Sequence, residues 1–310
     1  MSIPGSNPQA SWLEAPARHR IDGLLDEKSF REFIGPEQRV TSPHLPLFDL
    51  PRAFDDGVVV GQGTIDGAKV FVAAQEGQFM GGTFAEISGA KITGLLRAAL
   101  GLAKRAAAPR AVLLLLDTGG VRLQEANAGE IAVSEIIRAI FELRRAGIPV
   151  FAFVGGKSGA FGGGGLVTAT CSRIVISQHG RTSVSGPEVI ETNKGVEEFD
   201  SRDRGLVWRI TGGRTRSLMG GADLYVRDDV GAFRDAAKTL LERDVAPPDL
   251  KTLQAEQERL ETRQRLYGEC QDAPDIWRRR GINEADVVAD LAEDDFLCLF
   301  EQKGEHHDAR

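Results

Sequence analysis

Two glycine-rich segments of this 310-residue sequence could place backbone N–H groups against a ligand. The first runs from Asp117 through Gly119 and Gly120 to Glu125 and directly follows the apolar run Ala111–Leu116. Adjacent glycines at the carboxyl edge of a strand leave backbone N–H groups free to point at a ligand, and ligands bind at that edge in open α/β sheets. The segment therefore predicts an oxyanion hole, with an ordinary tight turn as the alternative.

The second segment, Gly155–Gly165, also follows a predicted strand and opens a predicted helix near Gly163. The N-terminus of a helix presents unpaired N–H donors and a partial positive charge, so a thioester or a phosphate can approach its backbone. Glycine is otherwise costly within a helix. This cost favours a binding role for the segment over mere structural tolerance.

Three common nucleotide and hydrolase motifs are incomplete in this sequence. The tripeptide Gly156–Ser158 lacks the first glycine of a Walker A motif, because Phe151 stands in its place. The segment Gly61–Gly63 lacks the third glycine of a dinucleotide fingerprint, since that position is Asp66. The serine at 158 is followed two residues later by Ala160, which excludes a Gly-x-Ser-x-Gly elbow.

Composition argues against several classes of partner. A formal net charge of -7 leaves no broad cationic field of the kind that draws a protein to nucleic acid or to an anionic membrane. No run approaches the roughly 20 apolar residues of a membrane span, and the first residues do not resemble a signal peptide. The cysteines and histidines show no metal-ligand spacing. We expect a cytoplasmic protein that binds no metal, no nucleic acid and no membrane.

The elements that must position the two glycine segments follow from hydrophobic periodicity and turn residues. Strands that alternate with helices predict parallel pairing and right-handed crossovers, and an Asp-Gly pair at 66–67 predicts a hairpin before them. The predicted strands are 58–62, 69–74, 111–116, 148–154 and 173–177, and the predicted helices between them are 89–107 and 129–145.

The sequence divides into three parts. Residues 1–56 predict an N-terminal arm with a helix at 17–33, and residues 57–245 predict one α/β core. Residues 246–310 predict a C-terminal helical extension and tail. The extension holds a charged helix at 250–267 with a narrow apolar stripe, which suits packing on a partner or on its own domain.

Several segments together resemble the carboxyltransferase beta half of acyl-CoA carboxylases in residue type and order. They are residues 17–30, 79–82, 118–125, 155–165 and 186–191, and the resemblance covers roughly residues 17 to 230. Bacterial acetyl-CoA carboxylase beta subunits carry a four-cysteine zinc ribbon before this region, and this sequence has none. Within the family, the pattern is similar to the beta subunits of biotin-independent malonate decarboxylases.

The resemblance implies a fold, a reaction and partners. The fold would be the crotonase-type ββα spiral of the carboxyltransferase N-domain, paired with a gamma subunit of related fold. The substrate would be a malonyl thioester on an acyl carrier protein with a phosphoribosyl-dephospho-CoA arm, and neither biotin nor a metal would be needed. Loss of CO2 would leave an acetyl enolate, whose oxygen needs preorganised N–H donors.

The resemblance also assigns residues. It implies catalytic backbone groups at Gly119, Gly120, Gly162 and Gly163 and substrate contacts at Gly81, Gly82, Arg122, Ser158 and Gly159. For Arg122, a phosphate contact and a structural ion pair with Glu125 are both open. The acid that protonates the enolate has no candidate in this chain, and water or a gamma-subunit group could serve.

Two other functions remain open at this point. A biotin-dependent acyl-CoA carboxyltransferase would use the same enolate with carboxybiotin as the carboxyl donor. A non-catalytic scaffold of the crotonase fold would use the glycine segments only for packing.

Overall fold

The computed structural model of the chain describes residues 10–103, 105 and 107–303. Residues 1–9 of the predicted arm, positions 104 and 106 of the predicted helix 89–107, and residues 304–310 of the predicted tail lie outside the described residues. Among the described residues, no helix is both long enough and apolar enough to cross a membrane.

A sheet of seven strands forms the centre of the molecule, with the order β1-β2-β3-β4-β5-β7-β9. The first three strands pair antiparallel and the remaining pairs are parallel. The strands, including β6 and β8 of a second small sheet, are β1 (Arg31–Glu32), β2 (Val58–Ile65), β3 (Ala68–Gln75), β4 (Ala111–Leu116), β5 (Val150–Val154), β6 (Ala160–Phe161), β7 (Arg173–Ser177), β8 (Thr182–Ser183) and β9 (Leu224–Val226).

Helices cover both faces of this sheet. They are α1 (Ala17–Leu24), α2 (Glu86–Leu102), α3 (Ala128–Arg145), α4 (Gly163–Thr170), α5 (Pro187–Lys194), α6 (Arg204–Thr211), α7 (Gly213–Leu218), α8 (Val230–Glu242), α9 (Leu250–Tyr267), α10 (Ala273–Arg279) and α11 (Glu293–Lys303). On one face α2 and α3 contribute to the larger apolar core, and on the other α1 and α8 contribute to a second core.

Strand β4 shows why its sequence is apolar without a break. Every residue of β4 is buried. Val112 and Leu114 enter the core beneath α2 and α3, while the alternate residues Leu113 and Leu115 enter the core beneath α1 and α8. Successive side chains of a strand point to opposite faces, so a strand covered on both faces needs apolar residues throughout.

The hairpin and the parallel α/β core are confirmed. Ile65 pairs with Ala68 across a two-residue turn, and both turn residues, Asp66 and Gly67, have positive φ. Positive φ at both positions is the requirement of a type I′ hairpin turn. The parallel ladder from β3 to β7 has the strand sequence that the alternating pattern predicted.

The predicted helix at 17–33 is too long, because α1 ends at Leu24. Two residues later the Asp26 carboxylate accepts hydrogen bonds from the Thr64 hydroxyl and from the N–H groups of Asp66 and Gly67. These bonds tie the chain to the hairpin turn, so it leaves the helical path and forms the short strand β1 beside β2.

The C-terminal extension consists of two parts that differ in burial. Helix α9 buries none of its residues, whereas the segments after it return to the core and bury Trp277, Phe296 and Phe300. The Phe296 ring packs edge-on against Tyr225 with 4.5 Å between ring centroids. Arg214 of α7 holds the returning chain by donating to the carbonyl oxygen of Leu291 at 2.6 Å.

Replacing Phe296 with alanine should lower the free energy of unfolding by about 3–5 kcal/mol, because it empties a site that is 0% exposed. The matched change Leu253→Ala on α9, where the side chain is 62% exposed, should stay within about 0.5 kcal/mol. Urea unfolding of both variants measures the difference. Equal stability of the two would mean that the C-terminal segment does not belong to the core.

Candidate functional site

Two glycine turns meet at the carboxyl edge of the sheet. Gly120 follows β4 and has φ +129°, and Gly162 precedes α4 and has φ +54°. A Cβ atom on Gly120 would lie 3.4 Å from the Phe161 carbonyl oxygen, and one on Gly162 would lie 3.5 Å from the Gly120 Cα. The two backbones are therefore in close contact, at positive φ values that L side chains rarely adopt.

Hydrogen bonds hold the two turns in register. The Phe161 N–H donates to the Thr118 carbonyl oxygen at 3.0 Å, and the Thr118 N–H donates to the Gly159 carbonyl oxygen at 2.7 Å. The small sheet continues this pairing, since β6 pairs in parallel with β8. The predicted glycine segments are thus brought together by a short second layer of strands that sequence periodicity does not reveal.

The prediction that the N–H groups of Gly119 and Gly120 are free is wrong. The Gly119 N–H donates to the Gly81 carbonyl oxygen at 2.9 Å, and the Gly120 N–H donates to the Thr118 hydroxyl oxygen at 3.1 Å. Gly163 differs, because it is the first residue of α4 and has no acceptor within its helix. It is also only partly buried, so the start of α4 is the better donor site.

The loop at residues 79–82 lies against the first turn. Gly81 and Gly82 have φ values of +65° and +63°, and a Cβ on Gly82 would lie 1.8 Å from the Asp117 carbonyl oxygen. The Gln75 side chain donates to the Gly82 carbonyl oxygen at 2.9 Å. Gly81 is partly exposed beside the turn, whereas Gly82 is buried beneath it and supports it.

Asp117 is the buried anchor of the site, and the sequence did not single it out. Its carboxylate accepts from Arg20 Nη1 at 2.9 Å and from the Ser158 N–H at 2.7 Å. Both side chains of the ion pair are 3% exposed. A Cβ on Gly156 would lie 2.1 Å from Asp117 Cγ, and one on Gly77 would lie 2.5 Å from it. These two glycines therefore make room for one carboxylate rather than for a ligand.

The other two predicted substrate contacts line the same loop. The Ser158 hydroxyl donates to the Gly77 carbonyl oxygen at 3.3 Å. Gly159 has φ +75°, and a Cβ there would lie 2.8 Å from the Arg181 carbonyl oxygen. Both residues lie next to the glycine turns, and their contacts within the chain are structural.

Arg122 has a structural role in this chain. Its guanidinium is buried and donates to Asp56 Oδ1 at 2.8 Å and to Glu125 Oε1 at 3.1 Å. The structure thus supports the ion pair with Glu125 and places no part of this side chain where a phosphate could reach it. No sequence signal identified Asp56, since it lies 66 positions away.

The two carboxylates of this cluster differ in acidity. Burial raises the pKa of Asp56. Burial acts in the same direction on Glu125, but hydrogen bonds from the Ser42 hydroxyl, the Glu86 N–H and Arg122 outweigh it and lower the pKa of Glu125. The carboxylates also bind the first N–H groups of α2, at Glu86 and Ser88. The cluster therefore fixes α2 to the turn that contains Gly120.

The described residues contain no group of three or more histidine, cysteine, aspartate or glutamate side chains arranged to hold a metal ion.

The sequence of this chain is similar to those of known proteins. Residues 14–262 match the carboxyl transferase domain family. The malonyl-S-ACP:biotin-protein carboxyltransferase of Malonomonas rubra is 35% identical over 302 residues, which cover 93% of this chain and 95% of that protein.

Solved structures give the same relationship. A Pseudomonas malonate decarboxylase hetero-tetramer in complex with malonate contains a chain that is 39% identical with a TM-score of 0.79, covering 87% of this chain and 97% of that one. A chain of the Pseudomonas MdcD–MdcE hetero-dimer is 37% identical with a TM-score of 0.66, covering 81% and 96%. The crotonase-type arrangement predicted from the sequence is confirmed by these likenesses.

Replacing Asp117 with asparagine should lower the free energy of unfolding by about 3–5 kcal/mol, because it leaves the Arg20 charge buried and unpaired. Arg20→Met should cost a similar amount. The double variant should cost clearly less than the sum, since neither charge then remains. Urea unfolding measures all three. Strictly additive costs would show that the pair does not act as a unit.

The exposed pair of Lys157 and Glu14, with side chains 48% and 65% exposed, supplies the control. Lys157→Ala should change stability by no more than about 1 kcal/mol.

Proposed function

The chain belongs to the carboxyl transferase family, and we propose that it is the beta-type subunit of a malonate decarboxylase. In this proposal it removes CO2 from a malonyl thioester on an acyl carrier protein with a phosphoribosyl-dephospho-CoA arm. The product is the acetyl thioester. The observation that carries the proposal is the contact between the Gly120 and Gly162 turns at the start of α4, in a chain similar to a malonate-bound malonate decarboxylase over 87% of its length.

The backbone at this site suits an enolate. When the bond between the α-carbon and the carboxylate carbon breaks, its electron pair passes into the thioester and charge grows on the thioester oxygen. The Gly163 N–H and the partial positive charge at the start of α4 would stabilise that oxygen. The enolate then takes a proton at its α-carbon from water or from a group on the partner subunit. CO2 leaves as a neutral molecule.

A partner subunit would complete the site. Helix α5 follows β8 beside the glycine turns and buries none of its residues. Val189 on this helix is 51% exposed, and Val184, which directly follows β8, is 62% exposed. Exposed apolar side chains beside a site are typical of a protein interface. The likeness to subunits of a hetero-tetramer and a hetero-dimer supports a gamma-type partner here.

In the same proposal the enzyme works in the cytoplasm and uses no metal. It needs no biotin, because decarboxylation has no carboxyl acceptor.

Carboxyl transfer to biotin is a second candidate. The similarity to a protein named as a malonyl-S-ACP:biotin-protein carboxyltransferase favours it. The same enolate would form, but the carboxyl group would pass to biotin before release.

The assay that separates these functions measures CO2 released from malonyl-carrier protein. We expect little activity from the chain alone, full activity after a gamma-type subunit is added, and no effect of avidin. Abolition by avidin would establish the biotin-dependent reaction instead. Full activity of the single chain would contradict the proposal that the site is shared between subunits.

Gly120→Val tests the turn itself. Valine is strained at the φ of +129° found here, and its γ-carbons extend beyond a Cβ that already lies 3.4 Å from the Phe161 carbonyl oxygen. We therefore expect the turn to change its conformation and the enolate donors to move with it. Loss of one such donor lowers kcat by about 10²–10³-fold, and we expect a loss of that size in single-turnover CO2 release.

Gly101→Val on α2 is the matched control, since a Cβ there meets nothing within 4 Å. It should retain normal turnover. Assembly with the gamma-type subunit and the melting temperature are measured for both variants. Near-normal turnover by an assembled Gly120→Val complex would refute the role of this turn.

A further inference from the structure

Arg181 is a partly buried arginine that forms no ion pair with a carboxylate in the described part of the chain. Burial lowers the pKa of its guanidinium, and the charged groups that act on it, Asp117, Arg204 and Glu188, form no ion pair with it. Its Nη2 donates to the Lys157 carbonyl oxygen, and its Nε is shielded from water without a hydrogen-bond partner. A cation that is partly withdrawn from water without a counterion is destabilised, and binding of an anion would offset that cost.

This cation lies next to the two glycine turns. The guanidinium carbon is 5.8 Å from the centre of the Phe161 ring, and Phe161 is the residue whose carbonyl oxygen faces Gly120. The Arg181 carbonyl oxygen accepts from the Ala160 N–H at 2.8 Å. Both the backbone and the guanidinium of Arg181 therefore lie beside β6, which ends at Phe161 directly before Gly162.

The charge is not committed elsewhere. Asp117, which is close enough to influence it, is already paired with Arg20 and bonded to the Ser158 N–H. Glu188 is exposed to solvent at the start of α5. An anionic ligand at the turns would thus find a guanidinium whose remaining N–H groups can form paired hydrogen bonds to a carboxylate.

We propose that Arg181 binds the free carboxylate of the malonyl group and so distinguishes malonyl from acetyl thioesters. This assignment rests on the proposed function. The carrier arm also bears phosphates, but the malonyl and acetyl forms share them. Only the carboxylate differs between substrate and product, so a comparison of the two forms separates the sources of negative charge.

The reaction ends the attraction between Arg181 and the substrate carboxylate. While the substrate is intact, one negative charge lies on the carboxylate and Arg181 attracts it. When the carbon–carbon bond breaks, the electron pair moves into the enolate and the carboxyl group becomes neutral CO2. The attraction is then lost, and the acetyl product has no charged group for Arg181 to hold. The residue acts on recognition of the substrate more than on the chemical step.

The test compares Arg181→Met with the wild-type chain, each assembled with the gamma-type subunit. The KM for malonyl-carrier protein should rise about 10–100-fold, which corresponds to loss of a charged hydrogen bond. Because the attraction to Arg181 weakens as the carboxylate becomes CO2, kcat should not fall, and it should rise if that attraction is already weakened in the transition state. Inhibition by acetyl-carrier protein should be unchanged. Arg181→Lys should have an intermediate effect, because it keeps the charge but not the fork of N–H groups.

Arg204→Met is the matched control, since Arg204 is a neighbouring but exposed cation on α6, and it should leave both constants unchanged. The melting temperature of Arg181→Met should equal or exceed the wild-type value, because a partly buried charge without an ion-pair partner is removed. Equal weakening of malonyl and acetyl forms, or an unchanged KM, would overturn the assignment. A wild-type complex that releases no CO2 would instead reject the proposed function, and direct binding of the two carrier forms would still test Arg181.

Discussion

A single buried ion pair, between Arg20 and Asp117, holds the parts of the site in one relative position. It joins the N-terminal helix to the end of the central strand, and the same carboxylate binds the N–H of Ser158 in the next loop. A charge withdrawn from water must keep its partners, because an unpaired one costs several kcal/mol. The glycines at 77 and 156 follow from this requirement, since a Cβ at either would displace the carboxylate. The buried ion pair thus requires glycine at both backbone positions that contact its carboxylate.

In the proposed mechanism the backbone stabilises the enolate, so side chains contribute by holding that backbone in place. Peptide N–H groups cannot adjust as side chains do, and an oxyanion site works only if they are held in place beforehand. The Arg122 cluster does this for the start of α2, and the bonds between Thr118 and Phe161 do it for the two turns. This explains why a buried arginine next to a glycine motif can be essential to a site without touching its ligand.

Decarboxylation and carboxyl transfer, the two candidate reactions, both pass through an enolate of the same thioester. The proposed enolate site at the glycine turns would therefore serve either reaction. What differs is the fate of the carboxyl group, which depends on the partner that faces the turns and on the charges nearby. The likeness of this chain to a malonate decarboxylase subunit and to a biotin-protein carboxyltransferase is consistent with that shared intermediate.

Local sequence alone determined the hairpin at Asp66 and Gly67, the apolar strand β4 and the glycine-rich starts of the two turns. Each depends on φ preference or on periodicity within a few residues. Tertiary structure decided which N–H groups remained available, because the Gly119 N–H bonds to the loop at Gly81 whereas Gly163, at the start of α4, has no acceptor within its helix. It also decided the roles of the charged residues. Arg20 and Asp117 are 97 positions apart, and Arg122 and Asp56 are 66 apart. Burial and pairing over such separations arise only when the whole chain has folded, so no local pattern could predict them.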